Sequence, residues 1–180
     1  MIALNQRQLK ALVHYEPKTG NFIWLKRDIR PNYRRFDLAW NTRYASKIAG
    51  CVRHAGRELS YIKIRINKKN YQAHRLVFLY MTGEFPSCGI DHKDADGLNN
   101  RWNNLRKANQ SQNLANRRIN YNNTSGFKGV HFNKRDKCYQ AYIGIKGKLK
   151  HLGSYNTADA AHASYMIAAK KYFGNFSRSR

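Results

Sequence analysis

The stretch from Ile90 to Asn116 constrains this chain more than any other. It offers a short run that fits a strand, then a loop crowded with aspartate and asparagine. A second short run over Asn104 to Lys107 and an amide-rich helix follow, with Ser111 as the cap and Asn113, Leu114 and Arg117 along the helix. Upstream, Ala73 to Met81 places Leu76, Val77, Leu79 and Tyr80 at helical spacing and stops at Thr82-Gly83, so a helix is expected to pack behind the loop.

Charge narrows the class of partner. Thirty-four Lys and Arg stand against ten Asp and Glu, a formal charge of +24, which points to a polyanion. The excess is uneven. Residues 1–80 hold 17 basic and 4 acidic side chains and residues 121–180 hold 11 and 2, whereas residues 81–120 hold 6 and 4. Asp91, Asp94 and Asp96 lie within this middle stretch. Carboxylates repel a phosphate backbone unless a cation sits between, so the trio hints at a divalent metal; Asp94 and Asp96 beside Gly97 also fit a tight turn.

Cys51, Cys88 and Cys138 are isolated and odd in number, which argues against a disulfide framework and against a structural zinc site. They are expected to be reduced, small and mostly buried. No charged start leads into an apolar run, and no segment approaches the ~20 apolar residues of a membrane span, so a cytoplasmic protein with no membrane partner is expected.

Elsewhere the pattern is plain in places and silent in others. Asn5 is placed to cap a helix over Gln6 to His14, and Asn21 to Lys26 reads as a strand. Arg27 to Tyr44 mixes arginines, asparagines and aromatics without period and is assigned to a basic loop or arm. Ser60 to Asn67 alternates, with Ile62, Ile64 and Ile66 on one side and Tyr61, Lys63 and Arg65 on the other, before a turn at Lys68-Lys69-Asn70. Asn120 to Ser125 is polar and turn-prone, a linker. Beyond it come strands over Phe127 to Asn133, Tyr139 to Ile145 and Lys148 to Gly153. A helix over Thr157 to Phe173 then closes at Gly174, with Ala160, Ala161, Ala168 and Ala169 as a small stripe.

The central segment carries candidate chemistry. With Asp91 and His92 ending one strand and Asn113 on the helix, two oxygens can serve one hard cation while the imidazole faces an attacking water. His92, neutral near pH 7, can accept the proton, and the Asn104 side-chain carbonyl can fix its tautomer. Singly, His92 also fits a structural histidine, Asn104 a turn residue and Asn113 a solvated amide.

Asp91-His92, Asn103-Asn104-Leu105-Arg106 and Gln112-Asn113, with the lead-in His74-Arg75-Leu76 and Gly83-Glu84-Phe85-Pro86, resemble the HNH endonuclease family, in particular its phage homing enzymes. The resemblance implies a ββα-metal fold with His92 as general base, Asp91 and Asn113 as metal ligands and Asn104 as the orienting residue. Many members have histidine where this chain has Asn113; an amide oxygen favours Mg²⁺ or Mn²⁺ over Zn²⁺. His74 is read as a core-ordering residue.

Residues Ser125 to Ser177 resemble the AP2 DNA-binding domain, through Ser125-Gly126-Phe127-Lys128-Gly129-Val130, Leu152-Gly153-Ser154-Tyr155 and the helix ending Tyr172-Phe173-Gly174. The resemblance implies a sheet read into the major groove. Lys128, His131, Asn133, Gln140, Tyr142 and His151 would project, Lys148 and Lys150 would serve phosphates, and Val130, Phe132, Ala141, Ile143 and Leu152 would pack inward.

The expected architecture is α+β. A basic preface over residues 1–70 and an HNH core over 71–119 precede the linker at 120–125 and an AP2-type three-stranded antiparallel sheet on one helix over 126–177. The expected activity is sequence-specific, metal-dependent DNA cleavage of the homing type. Nicking is the default for a monomer on double-stranded DNA, with a dimer left open. Two rivals are a DNA-binding factor whose HNH region is only a scaffold, which Asn113 favours, and an RNA or ribosome partner, which charge alone favours.

Overall fold

The computed structural model describes residues 4–56 and 59–179, arranged as two compact units, residues 1–107 and 108–180. The first unit opens with α1 (Gln6–Leu12). Asn5 accepts from the Gln8 amide and the Gln8 side chain accepts in return from the Asn5 amide, so two otherwise unpaired donors are satisfied at the helix start. A strand that the sequence pattern does not announce, β1 (Val13–Glu16), follows at once and pairs antiparallel with β2 (Asn21–Trp24). Tyr15 and Phe22 are buried between them with ring centroids 4.9 Å apart.

The segment expected to be a basic loop or arm is a helix, α2 (Arg34–Tyr44), entered through a single 3-10 turn at Pro31–Tyr33. It is held by specific polar contacts instead of an apolar stripe. Asp37, buried, accepts from the Arg30 amide at 3.1 Å and from its Nε and Nη2 at 2.9 and 2.7 Å. Arg27 and Asn41 exchange two hydrogen bonds, and the Arg27 guanidinium lies 3.6 Å from the centre of the Trp40 ring. Hydrophobic periodicity cannot register contacts of this kind.

An antiparallel sheet follows, with β4 (Ser60–Ile66) between β3 (Cys51–His54) and β5 (Lys69–Gln72). The alternation of β4 holds: Ile64 and Ile66 are buried while Lys63 and Arg65 are exposed. The turn is tighter than expected. Asn67 and Lys68 both take positive φ, as a two-residue hairpin loop requires, so Lys69 and Asn70 fall in the strand. Helix α3 (Ala73–Thr82) ends at Gly83, φ +88°, and buries Leu76, Val77, Phe78 and Leu79 against β4 and β5. Strands β6 (Gly89–His92) and β7 (Leu105–Ala108) form a two-stranded sheet.

The second unit begins at Ala108, ahead of the segment 120–125 expected to divide the chain. Its first helix, α4 (Gln110–Asn116), is capped by Asn109, not Ser111, through a second reciprocal Asn–Gln arrangement with Gln112. Strands β8 (Val130–Asn133), β9 (Cys138–Ile145) and β10 (Lys148–Tyr155) form an antiparallel sheet with β9 central. Helix α5 (Ala158–Phe173), capped by Thr157, packs on it and buries Ala161, Tyr165, Ala168 and Ala169, whereas Ala160 is exposed. Gly129 is required by this packing. A Cβ there would stand 2.2 Å from the Tyr165 ring, at a φ of +73°.

Two burial expectations are corrected. Phe132 does not pack inward; it is 42% exposed at the turn end of the β8–β9 ladder, beside Tyr139. The cysteines are unpaired as expected but not buried: Cys51 and Cys88 are exposed and Cys138 half-buried. Cys51 sits on β3, an edge strand with every side chain exposed.

Candidate active site

Strand β6 delivers Asp91 and His92 to its end, and both side chains are buried. The chain then turns through Lys93 to Asn104, where the short helical turn Trp102–Asn104 leads into β7. A polar network holds this loop. Asp94 accepts from the Asp96 amide at 2.9 Å, from Asn104 Nδ2 at 3.0 Å and from Asn99 Nδ2 at 2.6 Å, and Asp96 accepts from the Leu98 amide. Burial pushes the Asp94 carboxyl upward, but these hydrogen bonds outweigh it and hold the group below the ordinary carboxylate range. Asp94 and Asp96 thus brace a turn. Among the described residues no group of three or more His, Cys, Asp and Glu side chains is placed to hold a metal ion, so the aspartate trio is not a carboxylate cage.

The N-terminal hairpin clasps the same loop from outside. Tyr15 Oη donates to the Asn100 carbonyl at 2.8 Å, the Trp102 amide donates to the Pro17 carbonyl at 3.2 Å, and Arg101 Nε donates to the Lys18 carbonyl at 2.8 Å. Gly20 and Gly97 permit the approach: a Cβ on the first would lie 2.6 Å from the backbone of Asn100 and Arg101, and on the second 2.3 Å from the Ser60 carbonyl. Residues far away in sequence therefore fix where the loop can be.

His92 is the centre of this arrangement. Its Nε2 lies 3.4 Å from Oδ1 of Asn100, which is 1% exposed. The His74 ring meets it edge-on at 5.1 Å, and Tyr61 closes the group at 5.6 Å from His74 and 6.2 Å from His92. Burial lowers the His92 pKa, opposed by the Asn100 contact and by the charges of Asp94, Asp91 and Asp96. Burial, reinforced by the neighbouring His92 and Arg75, pushes His74 down to about 3, so its ring is neutral at physiological pH, and burial favours the neutral form of His92 as well. Trp102 packs on Phe78 of α3 at 5.1 Å, so the helix stands behind the loop as its spacing predicts.

Asn104 differs from the sequence-based expectation. Its side-chain oxygen accepts from the Asp94 amide at 3.2 Å, and its nitrogen donates to Asp94 and to the Asn99 carbonyl at 2.8 Å, so Asn104 shapes the turn while Asn100 meets the imidazole. The loop carries two adjacent asparagine pairs, and spacing alone singles out the second. Asp91 pairs through Oδ2 with Arg106 Nε at 2.7 Å, a charged hydrogen bond that orients the acid. Asn113 lies half-buried in α4, in the second unit. The Asp91 carboxylate and the Asn113 amide each offer hard oxygen donors, a chemistry that suits Mg²⁺ or Mn²⁺ better than a thiophilic metal.

The residues expected to read DNA separate into groups. His131, Tyr142 and His151 form an aromatic row across β8, β9 and β10, with centroids 5.3 and 5.0 Å apart, and Gln140 joins it by accepting from Tyr142 Oη at 3.1 Å. Lys148 and Lys150 are opposite Ile145 and Ile143 in the ladder, so they belong to the helix side, and Lys150 leans on Tyr172 of α5. Asn133 takes part in the β8–β9 turn, bonded to Asp136 and to the Arg135 and Asp136 amides. Lys128 is not an outward reader either. Its Nζ donates to the carbonyls of Leu114, Ala115 and Arg117 at the end of α4, and burial, with Arg178 and Arg117 nearby, lowers it to about 8. Helix-end carbonyls are a strong attraction for a lysine, one that strand alternation does not reveal.

Comparison with known families adds one similarity to this geometry. Residues 71–115 match the HNH endonuclease family. The matched segment runs through α3, β6, the braced loop, β7 and most of α4, and the family it resembles is one of nucleases, phosphodiester hydrolases acting on DNA that generally use a divalent metal ion. The match stops short of the β8–β10 sheet. No curated protein and no solved structure matches the chain. Among the described residues no helix is long and apolar enough to cross a membrane.

Proposed function

We propose that the chain is a sequence-specific, metal-dependent DNA endonuclease of the homing class, with His92 as general base. The observation that carries this reading is the buried His92 imidazole, next to Asp91 in the chain and held by an asparagine oxygen. With Nε2–H donating to Asn100, the ring lone pair is on Nδ1, and Nδ1 takes the proton from an attacking water. Asp91 and, by the HNH pattern, Asn113 would hold Mg²⁺ or Mn²⁺, which when bound would supply electrostatic stabilisation for charge on the scissile phosphate. Arg106 orients Asp91, and Asn104 positions the loop through Asp94.

The outer row of the β8–β10 sheet, His131, Gln140, Tyr142 and His151, reads base edges as an AP2-type surface. Lys148 and Lys150 reach phosphates from the strand edge. One such site per chain makes nicking the product of a monomer acting on double-stranded DNA. The test is supercoiled DNA containing the target, incubated with Mg²⁺ and either wild type or His92→Ala. Wild type converts it to the open circle and the variant leaves it intact. Equal nicking by both removes His92 as the base, and binding without cutting by the wild type reduces the HNH region to a scaffold.

A further inference from the structure

Helix α2 buries one of its eleven residues, Asp37. At 3.6 residues per turn, Asp37, Trp40, Asn41 and Tyr44 share its inner side, while Arg35, Ala39, Thr42 and Arg43 run along the outer side, flanked by Arg34, Leu38 and Phe36. Phe36 is 73% exposed, and Tyr33 at the helix entrance 54%. One exposed aromatic means little; an aromatic set among exposed guanidiniums is a different matter.

Residues 26–47 carry seven basic side chains against two acidic ones. Arg30 is engaged with Asp37 and Arg27 is stacked on Trp40, so the charge directed outward by α2 is that of Arg34, Arg35 and Arg43, the last also resting near the Tyr44 ring. Ala39 and Thr42 between them are small, which allows the helix axis to come close to a partner while the longer arginines reach past it. Planar guanidiniums spaced along such a face suit phosphate oxygens, which they bind in bidentate fashion. A helix lying on a membrane would instead need an apolar outer centre, and here that centre is Arg35, Ala39, Thr42 and Arg43.

We propose that the outer face of α2 docks on the sugar–phosphate backbone of duplex DNA, with Arg34, Arg35 and Arg43 on phosphates and Phe36 against the sugar edge. This is a DNA contact in addition to the β8–β10 face, and it rests on the proposed function only in that the substrate is DNA.

The test uses full-length protein in the His92→Ala background with EDTA, so that no strand is cut, and a random-sequence DNA duplex titrated at several salt concentrations. The triple variant Arg34→Gln, Arg35→Gln, Arg43→Gln leaves the Arg30–Asp37 pair untouched, and thermal melting checks that it is folded. It is expected to flatten the slope of log affinity against log salt by about 2–3, at roughly 0.9 for each phosphate that is no longer neutralised. Phe36→Ser is expected to weaken binding with the slope unchanged. A folded triple variant with the wild-type slope overturns the inference, as does a Phe36→Ser variant that keeps its DNA affinity but changes the sedimentation coefficient, since that assigns the face to a protein partner. If the parent protein fails to hold the duplex at all, the DNA reading falls and this inference with it, an outcome distinct from the other two.

Discussion

The sheets β3–β4–β5 and β8–β9–β10 are both three-stranded, antiparallel and backed by a helix, yet they bury unlike cores. Behind the first, α3 contributes Leu76, Val77, Phe78 and Leu79 to a cluster that also takes in Leu9, Val13, Tyr15 and Phe22 from the N-terminal elements. Behind the second, α5 contributes Ala161, Ala168, Ala169 and Tyr165, and the interior divides into two small clusters around Ile143 and Val130. Large side chains from several elements pack behind the hydrogen-bonded loop that follows His92, with Phe78 against Trp102. Small side chains need only keep a sheet in register while its other face stays open to solvent. On the proposed function, the first sheet would support chemistry that requires burial and the second would offer a binding surface.

Perturbing each part should separate the two roles. His92→Ala is expected to have the largest effect, lowering the cleavage rate by ~10²–10⁴, the range of general-base catalysis, while duplex affinity in EDTA is retained. Loss of affinity along with rate would break the division of labour. Leu76→Ala removes a fully buried side chain behind the loop and should cost about 2–5 kcal/mol in denaturant unfolding. Cleavage should fall with it.

Gly129→Ala addresses the other core. The added methyl meets the Tyr165 ring at a positive φ, so the second unit should lose about 1–3 kcal/mol. DNA affinity should drop while the rate at saturating DNA stays near wild type, measured in single-turnover assays. The smallest effect contrasts α2, whose one buried residue is Asp37, with the well-packed α5. Hydrogen bonding from the Arg30 side chain holds the Asp37 carboxyl down at about 2, below its unfolded value of roughly 3.9. Its contribution is complete above the unfolded value and is lost as pH falls toward about 2. Amide chemical shifts of α2 should therefore move over that interval, and Asp37→Asn should abolish the movement.

Legibility in the sequence follows the kind of force at work. The β4 alternation, α3 with its Gly83 stop and α5 with its Gly174 stop are readable because burial repeats with the period of the element. Asp91 and His92 are readable as candidates because the pattern around them is local. Helix α2 is not, since Asp37, Asn41 and Trp40 are each satisfied by one particular arginine and not by a stripe. Asn100 escapes notice beside Asn104 because two neighbouring amides in a loop look alike until the turn between them is folded.

The sequence by itself determined the strongly periodic elements such as β4, α3 and α5, the excess of positive charge and the presence of an acid, an imidazole and amides in one short segment, because periodicity, charge and composition are properties of the chain whatever its path. Only the tertiary structure decided that Asn100 meets His92, that residues 15–20 clasp the loop, that Lys128 binds helix carbonyls and that Lys148 and Lys150 lie on the helix side. Those outcomes depend on which carbonyl, amide or ring the folded path brings beside a side chain, whether from 8 residues away, as for Asn100 and His92, or from 85, as for Tyr15 and Asn100, and on a ladder register that no single strand specifies.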